Sequence, residues 1–296
     1  MATTRGQFSQ LLAPGLQALL FEWLPEHQEE YSQFMNVGSD DGAYLEDQII
    51  AGLGLARLKN EGDQISYDDP IQGGTKRYLH QTYALGWQVT EEMMDDEKYD
   101  IMSQIPGELM KSCRQFWEQY AANTLIGGFS TTVSANGVSM FNVAQPNLGG
   151  GVQSNMLSPF SDLSVTSVQD LIILYENMLN ERGLRVMISP KMCWIPPEMQ
   201  FIAGEVFQSQ FMPFTGTNEI NPVQGRVTPA VLHYLTSSTM WTFSAGDDPN
   251  SLKFFWRMKP ITETQDDFET KGVKHSLHFR ISTGCTDWRG WAAGSN

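Results

Sequence analysis

Five histidines, three cysteines and several adjacent carboxylate pairs are the residues with which this sequence could do chemistry. His275 and His278 have the look of a metal pair. Three apart on a strand, they fall on opposite faces, so the reading is one packed and one solvent-facing ring. Cys193 stands beside Trp194 in an apolar stretch, where a thiol is buried and inert rather than nucleophilic. Asp68-Asp69, Asp95-Asp96, Asp247-Asp248 and Asp266-Asp267 fall in turns or first helical turns. Neighbouring carboxylates diverge there, which makes them poor acid–base partners. Gly52 and Gly54 form a GxG without the third glycine or the lysine-serine pair of a phosphate loop. No GxSxG or HExxH occurs. The expectation is therefore a protein that is not an enzyme, with no catalytic residues, no metal and no cofactor.

Composition narrows the class further. The 296 residues are 41% apolar and 18% charged, which suits one or two packed domains and excludes a disordered chain. No apolar run reaches the ~20 residues of a membrane span, and Met1 to Gln10 lacks the features of a signal peptide. Cys113, Cys193 and Cys285 are odd in number, far apart and without CxxC, the pattern of reduced thiols in a cytoplasmic product. The net charge is −15. A protein that grips phosphate backbones shows a basic surplus, so this one suits a container of nucleic acid better than a reader of it.

The element that dominates the sequence is a ribbon feeding a long helix. From Lys76 to Val89 the residues alternate, with Leu79, Tyr83, Leu85, Trp87 and Val89 on one face and Lys76, His80, Thr82 and Gln88 on the other. Gln64 to Tyr67 is the expected partner strand. Asp68 to Gly74, dense in turn formers, is the expected tip. Such an arm would reach on the order of 40 Å, and a two-stranded ribbon of that length is marginal alone. Its aromatic face must be covered by the rest of the chain or by a neighbouring subunit. Thr90 caps a short helix, Glu91 to about Ser103. Pro106, tolerated in a first turn, opens a longer one near Ile105. Leu109, Cys113, Phe116, Trp117 and Tyr120 form its apolar stripe, a core-facing strut.

The remainder reads as two parts. Met1 to Asn60 is weakly patterned, with a modest amphipathic run from Leu11 to Trp23. Ser130 to Leu163 is loop-rich, Ser164 to Ser167 caps a helix that Gly183 stops, and Val186 to Ile188 is expected as a buried strand. Met192 to Ile195 is a second strand, Pro196-Pro197-Glu198 opens a helix, and Val231–Leu235 pairs with Met240–Phe243. Two long strands close the chain, Leu252 to Thr264 and Val273 to Thr283. They bring sequence-distant ends together, so the middle block reads as an insertion in an elongated domain. The fold class is α+β.

The order of these parts resembles the major capsid proteins of tailed bacteriophages, the Hong Kong-type capsid fold, and within it a prophage-type major head subunit. The strings that carry the resemblance are Ile65 to Tyr78, Thr82 to Met93, Asn221-Pro222-Val223, Leu252 to Arg257 and Ser282 to Gly290, in order from about Tyr44 to the C-terminus. The resemblance implies a phage capsid fold with an N-terminal arm (1–60) and an extended loop (61–90). A peripheral domain would hold the spine helix and long sheet (91–130 and 251–283), and an axial domain residues 131–250 and 284–296. It implies that Tyr67, Asp68, Asp69, Lys76, Arg77, Tyr78, Tyr83 and Trp87 lie between subunits. Self-assembly into hexamers and pentamers of an icosahedral virion shell would enclose double-stranded DNA without sequence-specific binding and without a membrane. Assembly would take place in the host cytoplasm, with scaffolding, portal and decoration proteins as further partners. The N-terminal segment is too short for a fused scaffold. Lys76, the only lysine between Gln64 and Val89, reads as a surface lysine rather than a cross-linking one. A cytoplasmic α+β enzyme with its site in 131–250, or another virion component, are the alternatives.

Overall fold

The cleanest alternation in the sequence becomes the centre of the largest sheet. In the computed structural model, which describes residues 29–90, 92, 101–212, 219–246, 252–267 and 272–295, twelve strands are assigned. They are β1 (Asn36–Ser39), β2 (Tyr44–Ala51), β3 (Ile71–Leu79), β4 (Gln81–Thr90), β5 (Gln145–Pro146) and β6 (Val152–Gln153), then β7 (Met192–Ile195), β8 (Thr228–Val231), β9 (Trp241–Ser244), β10 (Leu252–Asp267), β11 (Gly272–Cys285) and β12 (Trp291–Ser295). The first sheet runs β1-β10-β11-β4, antiparallel except for β1 on β10. Leu277, Phe279 and Ile281 of β11 and Leu252, Phe254 and Trp256 of β10 are buried on its inner face. The β10–β11 register slips between Trp256 and Ile261, where Pro260 has no N–H to give the ladder.

Against that face lies one helix, Ile101–Ile126. It begins four residues before the expected start, and Pro106 sits inside it. One lost bond is tolerated in a helix of this length with a packed stripe below it. Trp117 meets Trp256 edge-on at 5.3 Å and Phe279 at 5.6 Å. Cys113, Leu109, Ala121 and Leu125 complete the buried row. The helix expected from Glu91 lies almost wholly outside the described residues, as do the run from Leu11 to Trp23, the carboxylates Asp95-Asp96 and Asp247-Asp248, and most of the charged β10–β11 turn.

The second sheet runs β12-β9-β7-β8 and carries its own core. Helix Val165–Glu176 starts in a reciprocal cap in which Ser164 and Ser167 satisfy each other's backbone N–H. It shares one core with helix Gln200–Gln208 and the buried strands, to which Val168, Leu171, Tyr175, Ala203 and Phe207 belong. Two expectations fail here. Val186 to Ile188 forms no strand, and Met187 is fully exposed at 102%; an apolar triplet has no period that distinguishes a strand from an exposed loop. β8 and β9 do not pair with each other. β7 lies between them, parallel to β8 and antiparallel to β9.

The ribbon differs most. The alternating run breaks at His80 into β3 and β4, which belong to different sheets. β4 is an edge strand of the large sheet, paired with β11 from Thr90↔Gly272 to Gln81↔Ile281. β3 pairs not with Gln64–Tyr67, which forms no strand, but with β2, from Tyr44↔Leu79 to Ala51↔Ile71. The arm is therefore residues 44–79, with 52–70 as its tip.

Candidate functional site

The arm is fastened to the body at its base by a compact set of polar contacts. Tyr78 is 1% exposed and its ring stands edge-on to Phe255 at 5.1 Å. Its hydroxyl lies 2.6 Å from Thr286 Oγ1, and Thr286 donates its own proton to Asp47 Oδ2 at 2.6 Å. A threonine has one proton to give, so Tyr78 is the donor in the first bond. Asp47 also pairs with Lys253 Nζ. Burial pushes the Asp47 carboxyl up, but the bonds from Lys253 and Thr286 outweigh it and hold it below the ordinary range. Burial drives the Tyr78 phenol well above its ordinary value.

Lys76 is half-buried rather than a plain surface lysine. Its ammonium donates to the Val133 carbonyl at 2.6 Å, and burial lowers its pKa. Gly73 and Gly74, expected in the turn, lie within β3. A Cβ on Gly74 would stand 1.8 Å from the Ala135 carbonyl oxygen, and one on Gly73 2.7 Å from that of Ile49. These glycines serve close backbone approach. Arg77 stays on the outside, paired with Glu46 at 2.5 Å and stacked 4.4 Å over the Tyr44 ring.

At the break between β3 and β4, His80 joins three segments. Nε2 lies 3.0 Å from Asp40 Oδ2, and Nδ1 lies 3.0 Å from Ser282 Oγ. A carboxylate only accepts, so Nε2–H donates, and that bond holds Asp40 below the usual carboxylate range. The order of groups is that of a Ser–His–Asp triad. Yet Ser282 is 2% exposed in the middle of β11, where no substrate reaches it, and nucleophilic catalysis needs an open approach with oxyanion donors beyond it. The constellation is a buried joint that pins the root of the arm to β11 and to the end of β1. Sequence reasoning placed His80 on the face opposite the aromatic one and missed the joint, since its members lie 40 and 202 residues apart.

The aromatic face of β4 is partly covered from within. Tyr83 packs on Phe116 at 4.6 Å, Tyr120 at 5.7 Å and Phe279 at 5.9 Å. Trp87 stacks on His275 at 4.6 Å, and His275 Nδ1 lies 3.0 Å from Thr264 Oγ1. Tyr83 and Trp87 thus rest half-buried on the long helix and on β11, so the chain supplies part of the cover for that face, while Leu79 and Leu85 of the same run stay exposed.

The tip is the opposite case. Residues 52–70 contain no regular element. Leu55, Leu58 and Tyr67 are 77%, 93% and 89% exposed, and Leu53 and Ile65 are exposed beside them. A turn closes between Asn60 and Asp63, with Gly62 at φ +87. Polar contacts tether it. Asp68 Oδ2 accepts the Gly54 N–H at 2.7 Å and Arg182 Nη1 at 2.8 Å, and both hold its carboxyl below the usual range; Arg182 Nη2 reaches the Asp69 carbonyl. Beneath the arm a cleft of about 480 Å³ opens between residues 49–52 and loop 180–191.

Two further carboxylates sit in the body. Glu118 of the long helix accepts the N–H groups of Glu30 (3.1 Å) and Tyr31 (2.9 Å), capping the short helix Tyr31–Phe34. Burial pushes its pKa up to about 7, against the pull of those two bonds and of Arg114. Glu30 in turn meets His233 Nδ1 at 2.5 Å. Arg289, also buried, binds Glu181 at 2.8 Å, Asp287 at 3.1 Å, Asn147 at 2.8 Å and the Leu179 carbonyl at 2.8 Å. Cys113, Cys193 and Cys285 are all buried as free thiols, with Cys113 pushed up to about 11 by burial. Among the described residues no group of three or more His, Cys, Asp or Glu could hold a metal ion, and no helix is long and apolar enough to cross a membrane.

Residues 74–294 match the family described as phage capsid protein. No curated protein matches the sequence. Among solved structures, a chain of Microbacterium phage Oxtober96 superposes with a TM-score of 0.59 at 9% identity, covering 92% of each chain. The procapsid of bacteriophage JBD30 gives 0.58 at 12% identity, over 99% of this chain and 76% of that one. The capsid of Ralstonia phage GP4 gives 0.58 at 11% identity, over 92% and 94%. At such identities the likeness is one of fold, the Hong Kong-type fold of tailed-phage capsids.

Proposed function

The chain belongs to the phage capsid protein family and is a structural protein of a capsid shell, and from that premise we propose how it builds one. The arm tip, residues 52–70, lies across the neighbouring copy and buries its apolar side chains there. The long helix with β10 and β11 forms the peripheral domain. Residues 131–250 and 284–296 form the axial domain at the centres of hexamers and pentamers, and the N-terminal segment reaches across neighbours. The closed shell encloses double-stranded DNA, which the acidic composition suits by avoiding adhesion to phosphates. Scaffolding, portal and decoration proteins meet this one in the host cytoplasm.

The observation that carries this reading is a contrast. Most large aromatics among the described residues are sealed, whereas Leu53, Leu55, Leu58, Ile65 and Tyr67 gather unburied on one tip. Exposed apolar side chains concentrated on one segment point to an interaction site. A repeated contact between a tip on one copy and a receiving surface on the next is heterologous and propagates until symmetry closes it.

The test replaces residues 52–70 with Asn-Gly, a turn that joins the paired ends Ala51 and Ile71. The shortened protein should fold, stay soluble and run as a small species on size exclusion, with no shells in negative stain. Normal particles from it would refute the role given to the tip.

A further inference from the structure

Resting on the shell reading above, we propose that Arg182 is the receptor for the Asp68–Asp69 tip, and that the contact made within one chain is exchanged for the same contact between two copies when the shell forms. The receptor is rigidly built. Arg182 N–H donates to Asn180 Oδ1 at 2.9 Å, Gly149 N–H donates to the Glu181 carbonyl at 2.8 Å, and Glu181 is locked to buried Arg289. Gly183 at φ +77 fixes the bend beyond it. The guanidinium is held in place with only 15% of the side chain exposed.

The ligand is loosely held by comparison. The tip has no buried apolar side chain, and its hold on Arg182 consists of one bond to the Asp68 carboxylate and one to the Asp69 carbonyl. The Asp68 end of that pair is 46% exposed, and ion pairs open to water add little to stability, so the closed form is easily released. Arg182 also has unused capacity. Its Nε is buried and has no partner among the described residues. An arginine fork takes a carboxylate through two parallel N–H bonds, and the Asp69 carboxylate is the second acid beside it. Fully extended, residues 52–70 span roughly 30 Å out and back, enough to reach an adjacent copy in a shell.

Exchange of an identical contact between copies costs little, because what opens in one chain is remade in the next. The gain is burial of Leu55, Leu58 and Tyr67 against the neighbour, which the closed form leaves in water. The acid pair would set where the tip lands, and the apolar residues would supply the affinity.

The experiment compares full-length Asp68→Arg and Arg182→Asp, each alone, combined in one chain, and mixed as two separate single variants. Each single variant should give at least about tenfold fewer particles than wild type. The combined variant should recover. The decisive sample is the mixture: a contact between copies lets the tip of an Asp68→Arg chain find the reversed charge on an Arg182→Asp neighbour, so particles should return to within about twofold of wild type. A contact made only within one chain predicts recovery in the combined variant and none in the mixture, and that result overturns the inference. Singles that assemble like wild type would overturn it too. As a fold-independent check, tagged Asp69→Cys chains are mixed with untagged Arg182→Cys chains and oxidised; the native thiols are all buried. Tagged–untagged dimers in particles are expected, and their absence counts against the exchange. If wild type itself forms no particles, the shell reading fails first, a distinct outcome.

Discussion

Truncating the tip to alanine at Leu55, Leu58 and Tyr67 separates assembly from folding. The three side chains are 77%, 93% and 89% exposed, so their loss should leave the isolated subunit within about 0.5 kcal/mol of its stability and its unfolding midpoint within ~2 °C. Between copies the arithmetic changes. Each leucine loses the transfer free energy of three carbons, about 2 kcal/mol if fully buried, and the tyrosine a similar amount. Half burial at the contact would still remove about 3 kcal/mol from every tip, more than a hundredfold in its equilibrium constant. A shell multiplies that loss over all its subunits, so the triple variant should not assemble at concentrations where wild type does. Sedimentation velocity reads the particle fraction and circular dichroism reads the fold. Wild-type particle yield from a normally folded triple variant would refute the reasoning, and so would a large fall in its unfolding midpoint, which would place the residues inside the subunit.

Three other outcomes follow from the body of the molecule. Trp117→Ala empties the contact with Trp256 and Phe279 under the long helix and should cost about 3–5 kcal/mol, seen as a sharp fall in the unfolding midpoint or in soluble yield. Arg289→Ala leaves Glu181 buried without its cation, a loss of about 3–5 kcal/mol. Limited proteolysis should then cut segments 145–153 and 179–185 faster than in the wild type. Glu118 has a folded pKa of about 7, above the 4.5 of an ordinary glutamate, so the folded state holds the proton more tightly. Its contribution to stability is fully present below the unfolded value and is lost as pH rises through about 7. The wild-type midpoint should therefore fall as pH rises from the unfolded value through about 7, and Glu118→Gln should flatten that fall; an unchanged slope would contradict the assignment.

What the sequence could show was set by how local the cause was. The alternation of Leu277, Phe279 and Ile281 and the three-and-four spacing of Leu109, Cys113, Phe116 and Tyr120 are local signals; the strand residues with Leu109 and Cys113 are buried in the core, and Phe116 and Tyr120 pack half-buried against it. Gly73 and Gly74 misled because a glycine pair has two uses. Beside Asp68 to Pro70 it reads as a turn, whereas the chain uses it to bring β3 against the Ala135 and Ile49 backbones. That misreading moved the tip and gave the ribbon the wrong partner strand. Tyr83 and Trp87 were rightly read as a face needing cover, but only the tertiary fold places the long helix and His275 over it. The Asp40–His80–Ser282 joint and the Arg182 receptor join residues scores to hundreds of positions apart, and nothing near them in the chain announces the contact.

Electron cryo-microscopy of particles assembled from the full-length protein tests the central claim most directly. The account predicts closed shells in which Leu55, Leu58 and Tyr67 are buried on an adjacent copy. Shells whose tips remain on their own subunit, with those three side chains still in solvent, would contradict it.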